Sequence, residues 1–298
     1  MKDKPQILCI GSVLWDIIGR APSHMVAGAD VPGRITRLPG GVAMNIAMAL
    51  NGYGLNVALL SALGRDAEGR DLLQSAQRMG LNTNFIYLSD DLPTDRYMAI
   101  EGANGLIAAI ADAHSLEAAG SRILTALYDG RLASAAAPWR GLVVLDGNLS
   151  LEMLETIARD TLFDLADLRL APASPGKAER LNAFLGHQGA VLYLNLEEAN
   201  LLTRRKNTDT KAAALALLDR GMKRVLVTHG GQAACEASAD GFCQSLIPPP
   251  VMVTRVTGAG DMFMAAHISA ELRGEPRDVA LAAALDGAAT YISGETPL

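Results

Sequence analysis

"RVTGAGDMFMAAHISAEL", residues 255–272, sets a carboxylate at the head of an almost uncharged stretch. Met262, Phe263, Met264, Ala265, Ala266, Ile268 and Leu272 leave no polar face of ordinary width, so the spacing predicts a helix buried around most of its circumference. Its first turn nevertheless holds Asp261, directly behind Gly258, Ala259 and Gly260. Two readings fit. Asp261 caps the helix after a glycine turn. Alternatively, the small residues let an anion reach the unpaired N–H groups and positive dipole end of the first turn, with Asp261 handling a proton beside it. The second reading suits phosphoryl transfer, where positioning and charge stabilisation outweigh base strength.

Outward from this helix, short branched apolar runs alternate with helical patterns, the signature of βαβ units and a parallel sheet. Strands are expected at 6–12, 56–64, 141–148, 168–174, 190–195 and 224–230, and helices at 41–54, 67–80, 149–160, 176–186, 209–222, 259–273 and 276–293. A ligand should then bind at the carboxyl ends of the strands. Two stretches break the rhythm, about 13–38 and 84–111. They alternate in character and carry turn signals at Asp91–Pro93 and Asn104-Gly105. They read as two antiparallel insertions forming a small lid on one α/β domain that spans 1–298.

Composition narrows the class. Half of the 298 residues are hydrophobic and 19% are charged, enough for a large core. A net charge of −6 without a basic cluster leaves no footprint for nucleic acid or for a membrane surface. The scattered Cys9, Cys235 and Cys243 form no disulfide framework, which fits a cytoplasmic chain. "ILCIGSVLW" (7–15) resembles a signal peptide, but Asp16 follows at once and it reads as the first buried strand. No G-x-x-x-x-G-K-[ST] phosphate loop, no G-x-G-x-x-G after the first strand, no G-x-S-x-G elbow and no metal-ligand spacing of histidines occurs.

"VTGAGD" (256–261) resembles the second signature of the ribokinase-like carbohydrate kinases, the PfkB family, and "LPGGVAMNIAMALNGYG" (38–54) resembles the first. The resemblance runs from "IGSVLWD" (10–16) to the last helix, with the motifs in the family's order. It implies a three-layer α/β/α body with a mainly parallel central sheet and a small β lid. It also implies ATP with Mg2+ as phosphoryl donor and a sugar or nucleoside hydroxyl as acceptor.

Residue by residue, the resemblance makes Asp261 the catalytic base and the N–H groups of Gly258, Ala259 and Gly260 the anion hole. Asp16 would bind the acceptor's hydroxyls, where a carboxylate can accept from two neighbours. Gly40, Gly41 and Asn45 would complete the acceptor site. "NLEEANLL" (195–202) resembles the family's N-x-x-E motif, which assigns Asn195 and Glu198 to Mg2+ held through water, with Glu197 as the rival one register away. "VTHGG" (227–231) puts Thr228, Gly230 and Gly231 near the nucleotide phosphates, and Asp286 falls near adenine or on a solvated helix face.

Two departures from the family pattern stand out. Arg255 occupies a position where the family commonly has an acid that helps hold a monovalent cation, which leaves the potassium requirement open. Met44 stands where many relatives are polar. Within the family, "PGGVAMNIA" (39–47), "AAIADAHSLEA" (108–118), "LDGNLS" (145–150) and "APASPGKAERL" (171–181) look most like pseudouridine kinases. That likeness adds Asp112 to the acceptor site and Lys177 to the ATP phosphates. Ribokinase, nucleoside kinase and fructokinase activities are the alternatives, with a non-catalytic sugar- or nucleoside-binding member behind them. Lids of this family often pair between subunits, so a homodimer is the expected assembly.

Overall fold

A computed structural model describes residues 5–255 and 257–295. The chain opens with β1 (Ile7–Ile10), β2 (Leu14–Arg20) and β3 (Arg34–Gly40), then α1 (Val42–Gly52). The expected strand 56–64 divides at Ser61 into β4 (Val57–Leu60) and β5 (Ala62–Gly64). After α2 (Ala67–Arg78) come β6 (Tyr87–Ser89), β7 (Arg96–Gly102) and β8 (Gly105–Asp112). Short α3 (Ser115–Ala119) and α4 (Thr125–Tyr128) precede β9 (Leu142–Asp146), α5 (Leu151–Arg159), β10 (Asp167–Ala171), β11 (Ala190–Asn195) and α6 (Leu196–Thr203). The rest is α7 (Thr210–Asp219), β12 (Arg224–His229), β13 (Gln232–Ser238), β14 (Cys243–Leu246), α8 (Ala259–Leu272) and α9 (Arg277–Ser293). The helix expected over 176–186 is a 3-10 turn series, Pro175–Phe184.

The large sheet has the order β14-β13-β12-β11-β10-β9-β1-β4. It is parallel from β4 to β12, while β13 and β14 add an antiparallel edge. Its central strands are buried on both faces, which is why they read as continuous apolar runs. One core joins the sheet to α5, α6 and α7, and a second joins it to α1, α2, α8 and α9. This is the three-layer body. The smaller sheet, β3-β2-β7-β8, is the lid. Its β7–β8 hairpin closes on Ala103 and Asn104, with Gly102 opposite Gly105.

α8 is as buried as its sequence requires: Met264, Ala265, His267 and Ile268 have no solvent exposure. Its second half meets charge inside the protein. Arg169 of β10 and Arg224 of β12 each reach Glu271 at 2.5 Å. Arg224 also holds Glu236 of β13 at 2.6 Å, and Tyr193 bridges Arg169 to His267 Nδ1 at 2.9 Å each. Against the opposing effect of burial, Arg169, His267 and Arg224 together pull the Glu271 carboxyl down to about 2. Among the described residues no helix is long and apolar enough to cross a membrane.

Candidate active site

The lid brings Asp16 over the first signature. β2 and β3 run antiparallel with Leu14 opposite Gly40 and Asp16 opposite Leu38. A Cβ on Gly40 would lie 2.0 Å from Asp16 Oδ2, so any side chain there would displace the carboxylate. Gly41, the N-cap of α1, has φ +97°, and a Cβ on it would lie 2.5 Å from the Ser12 carbonyl oxygen. The glycine pair therefore makes room for the chain's own Asp16 and Ser12. Burial pushes the Asp16 carboxyl up to about 6.

Asp261 arrives from the opposite wall. The N-cap of α8 is Gly258 at φ +87°, and no side chain caps the helix. Asp261 instead accepts a 2.9 Å hydrogen bond from Asn45 Nδ2 of α1, 216 positions away in the chain. Capping thus fails to explain the acid. Burial pushes its carboxyl up to about 7; the Asn45 bond opposes this, and the charges of Asp146, Asp16 and Glu198 add to it. Three carboxylates from three separate segments thus act on Asp261, at the end of the sheet where the parallel strands finish.

One of these carboxylates is not among the residues expected at the site. Asp146, the last residue of β9, is fully buried and accepts from Ser12 N at 2.8 Å and Ser12 Oγ at 2.5 Å. Its other oxygen accepts from Asn148 N and Asn148 Nδ2, both at 2.8 Å. Ser12 Oγ in turn accepts from the Val42 amide at 2.9 Å, closing the start of α1. Asn148 Oδ1 accepts from Lys177 Nζ at 2.6 Å. Lys177 follows a loop in which Ala173 is held at φ +68°, a conformation that costs a non-glycine residue about 1–3 kcal/mol. The quoted "LDGNLS" held the signal: an acid-turn-amide run at the carboxyl end of a central strand.

Asn195 and Glu198 form a capping box on α6. Glu198 N donates to Asn195 Oδ1 at 2.9 Å and Asn195 N donates to Glu198 Oε2 at 2.8 Å. Glu198 is buried, whereas Glu197 is exposed. Burial raises the Glu198 carboxyl, opposed by the Asn195 amide. Thr228 lies directly beside Asn195 in the sheet, and the exposed Gly230 and Gly231 form the turn after β12. Among the described residues no three acidic, histidine or cysteine side chains gather as a metal cage. The donor set fits a cation held mainly by phosphate and water, with Glu198 as a carboxylate that could meet it through water.

Asp112 does not join Asp16, whereas Asp286 keeps the exposed position that either of its readings requires. Asp112 pairs with Arg96, in the register of Trp15, while Asp16 pairs with Tyr97; alternation along the strands puts Asp112 on the face away from Asp16. Asp286 is exposed on α9. Met44 is fully buried and faces the core rather than the cleft.

Comparison with known proteins follows the same lines. The model of the pfkB family carbohydrate kinases matches residues 4–295. An uncharacterized sugar kinase of Escherichia coli, YeiI, is 30% identical over 92% of this chain and 74% of its own length. The pseudouridine kinase of the same organism is 27% identical over 93% of this chain and 87% of its own. The Arabidopsis thaliana ribokinase solved with ribose and ATP superposes with a TM-score of 0.76 at 19% identity, covering 97% of this chain and 93% of that one.

Proposed function

The chain belongs to the pfkB family of carbohydrate kinases, and from that premise we propose that it phosphorylates a nucleoside, pseudouridine, at its 5′-hydroxyl with ATP. The observation that carries the reading is the pairing of Asp16 and Asp261. They come from lid and body, both are driven up by burial, the charge of Asp16 acts on Asp261, and Asn45 fixes Asp261 by a hydrogen bond. The likeness to a pseudouridine kinase over nearly the whole chain supports the acceptor.

In this reading Asp16 receives the acceptor's paired hydroxyls when the lid lies over the cleft. Asp261 faces the hydroxyl to be phosphorylated and takes its proton as the oxygen–phosphorus bond forms. The bond from the γ-phosphorus to the leaving ADP oxygen breaks in the same displacement, and the N–H groups at Gly258, Ala259 and Gly260 meet the charge on the transferred group. Asn45 keeps Asp261 aimed. Lys177, held by Asn148, supplies a positive charge for the phosphates, and Thr228, Gly230 and Gly231 line their other side. Mg2+, when bound, offsets charge on the phosphate oxygens. Asn195 and Glu198 would hold it through water. Because Asp112 lies on the other face of the lid, it has no part in this reading, while Asp286 is left beside adenine or on a solvated helix face.

The face of the lid away from Asp16 exposes Ile35 (78%), Met98 (45%) and Ile110 (69%). We infer that it pairs with a second copy; a monomer in sedimentation at micromolar concentration would exclude this.

A sugar acceptor is the second reading, favoured by the higher identity to the sugar kinase. ADP release measured with pseudouridine, uridine, adenosine, ribose and fructose separates the two. Turnover of pseudouridine at a kcat/KM well above that of the free sugars is expected. Preference for ribose or fructose would transfer the assignment to the sugar kinases. Heat of acceptor binding without ADP would leave only a binding protein.

A further inference from the structure

The segment that leads into α8 is stapled to the far end of α9. Thr254 donates both its N–H and its hydroxyl to the carbonyl of Ile292, at 3.0 and 2.9 Å. Arg255 Nε donates to the carbonyl of Tyr291 at 2.7 Å, and its guanidinium lies 3.7 Å above the centre of the Tyr291 ring. These carbonyls belong to the last turn of α9, where helical donors run out and the negative end of the dipole gathers. A guanidinium answers that site with a hydrogen bond, a charge and a ring contact together.

Tyr291 carries the effect onward. Its side chain is 6% exposed, and its hydroxyl donates to the Thr257 carbonyl at 3.0 Å. Gly258 stands so close that a Cβ on it would lie 2.6 Å from the Tyr291 oxygen. One rigid ring thus has Arg255 on its face and the turn that opens α8 at its tip. The first-turn N–H groups of α8 can aim no better than that turn is held.

We propose that Arg255 is a positioning residue for phosphoryl transfer: acting through Tyr291, it fixes the Thr257–Gly258 turn and so the aim of the anion hole at the start of α8. The inference rests on the kinase reading above. The Tyr291 carbonyl also accepts from the Gly294 amide at 3.1 Å, and the Ile292 carbonyl from Thr254, so what Arg255 adds at the α9 terminus is its positive charge and its hold on the ring. With that charge built in, wild type should turn over equally in potassium and in choline salts.

The test compares Arg255→Ala, Arg255→Lys and Tyr291→Phe with wild type, reading kcat, acceptor KM and hydrogen exchange of the Met262 amide, which bonds to the Gly258 carbonyl at 3.0 Å. Misplacement of the anion hole should lower kcat in Arg255→Ala by about 10–100-fold while acceptor KM stays near wild type. Arg255→Lys should recover part of the loss, and added guanidinium or potassium should recover part of it in Arg255→Ala but none in Tyr291→Phe. The Met262 amide should exchange faster in both deficient variants. Wild-type kcat in Arg255→Ala, or a loss untouched by lysine, guanidinium or potassium, overturns the proposal. Unchanged Met262 exchange overturns it independently of turnover, whereas a wild type that releases no ADP with any acceptor sinks the kinase reading instead.

Discussion

The two ends of α8 hold acids of opposite character. Glu271, in the last turn, is met by Arg169 and Arg224 at 2.5 Å each, and its carboxyl is pulled down to about 2. Asp261, in the first turn, is met by an amide and by three further carboxylates acting at longer range, and its carboxyl is pushed up to about 7. Both acids are largely withdrawn from water on one helix, so the difference lies in their company. A charge matched by cations belongs to the fold. A carboxylate left among carboxylates is held at a cost the fold does not need, and that marks the chemistry.

The sharpest way to break this comparison is to neutralise each acid. Asp261→Asn should lower kcat by about 10²–10⁴-fold, the range of a lost general base, with acceptor affinity by calorimetry near wild type. Turnover within a few-fold of wild type would return Asp261 to a local structural role. Glu271→Ala should leave two arginines without their shared partner and cost about 3–5 kcal/mol in urea unfolding, while kcat per folded molecule stays unchanged. A loss of kcat with no loss of stability would invert the assignment.

pH sharpens the contrast, with opposite signs at the two ends. Asp261 acts as base only when ionised, so kcat/KM should rise with pH and level off above about 7, and the limb should vanish in Asp261→Asn. The folded-state value lies above the ordinary 3.8, so this group works against folding increasingly as pH rises from 3.8 toward 7. Asp261→Asn should therefore melt higher than wild type at pH 8 and equally at pH 3. Glu271 is depressed from 4.5, so its stabilisation is complete above 4.5 and is lost as pH falls toward 2.

The smallest expected effect concerns the capping box. Glu198→Gln should raise the Mg2+ concentration needed for half-maximal rate and cost about 1 kcal/mol of stability, whereas Glu197→Gln, at an exposed position, should change neither. A metal titration moved by Glu197→Gln alone would exchange their roles.

These two ends also show what a sequence can reveal. Asp261 was legible because its signal is local: glycines, an acid and a buried helix within one short run. The network around Glu271 was not, since Arg169, Arg224 and Glu236 come from three strands and share no spacing with it. The Ser12–Asp146 contact spans 134 positions and was hidden for the same reason. Asn195 and Glu198 were legible through the family's N-x-x-E motif, and the structure shows that the same spacing also closes a capping box. Asp112 was misplaced because a one-residue step along a strand reverses the face, and only the pairing with Arg96 fixes that parity. The parallel strands announced themselves as apolar runs, but β13 and β14, made of small and polar residues, carried no such pattern.

The most direct test is acceptor-dependent ADP release by wild type and Asp261→Asn, side by side, with pseudouridine and with ribose. The account predicts rapid release by wild type with pseudouridine, little with ribose, and release slowed by about 10²–10⁴-fold in the variant although it still binds the nucleoside. Release from Asp261→Asn at the wild-type rate would contradict it.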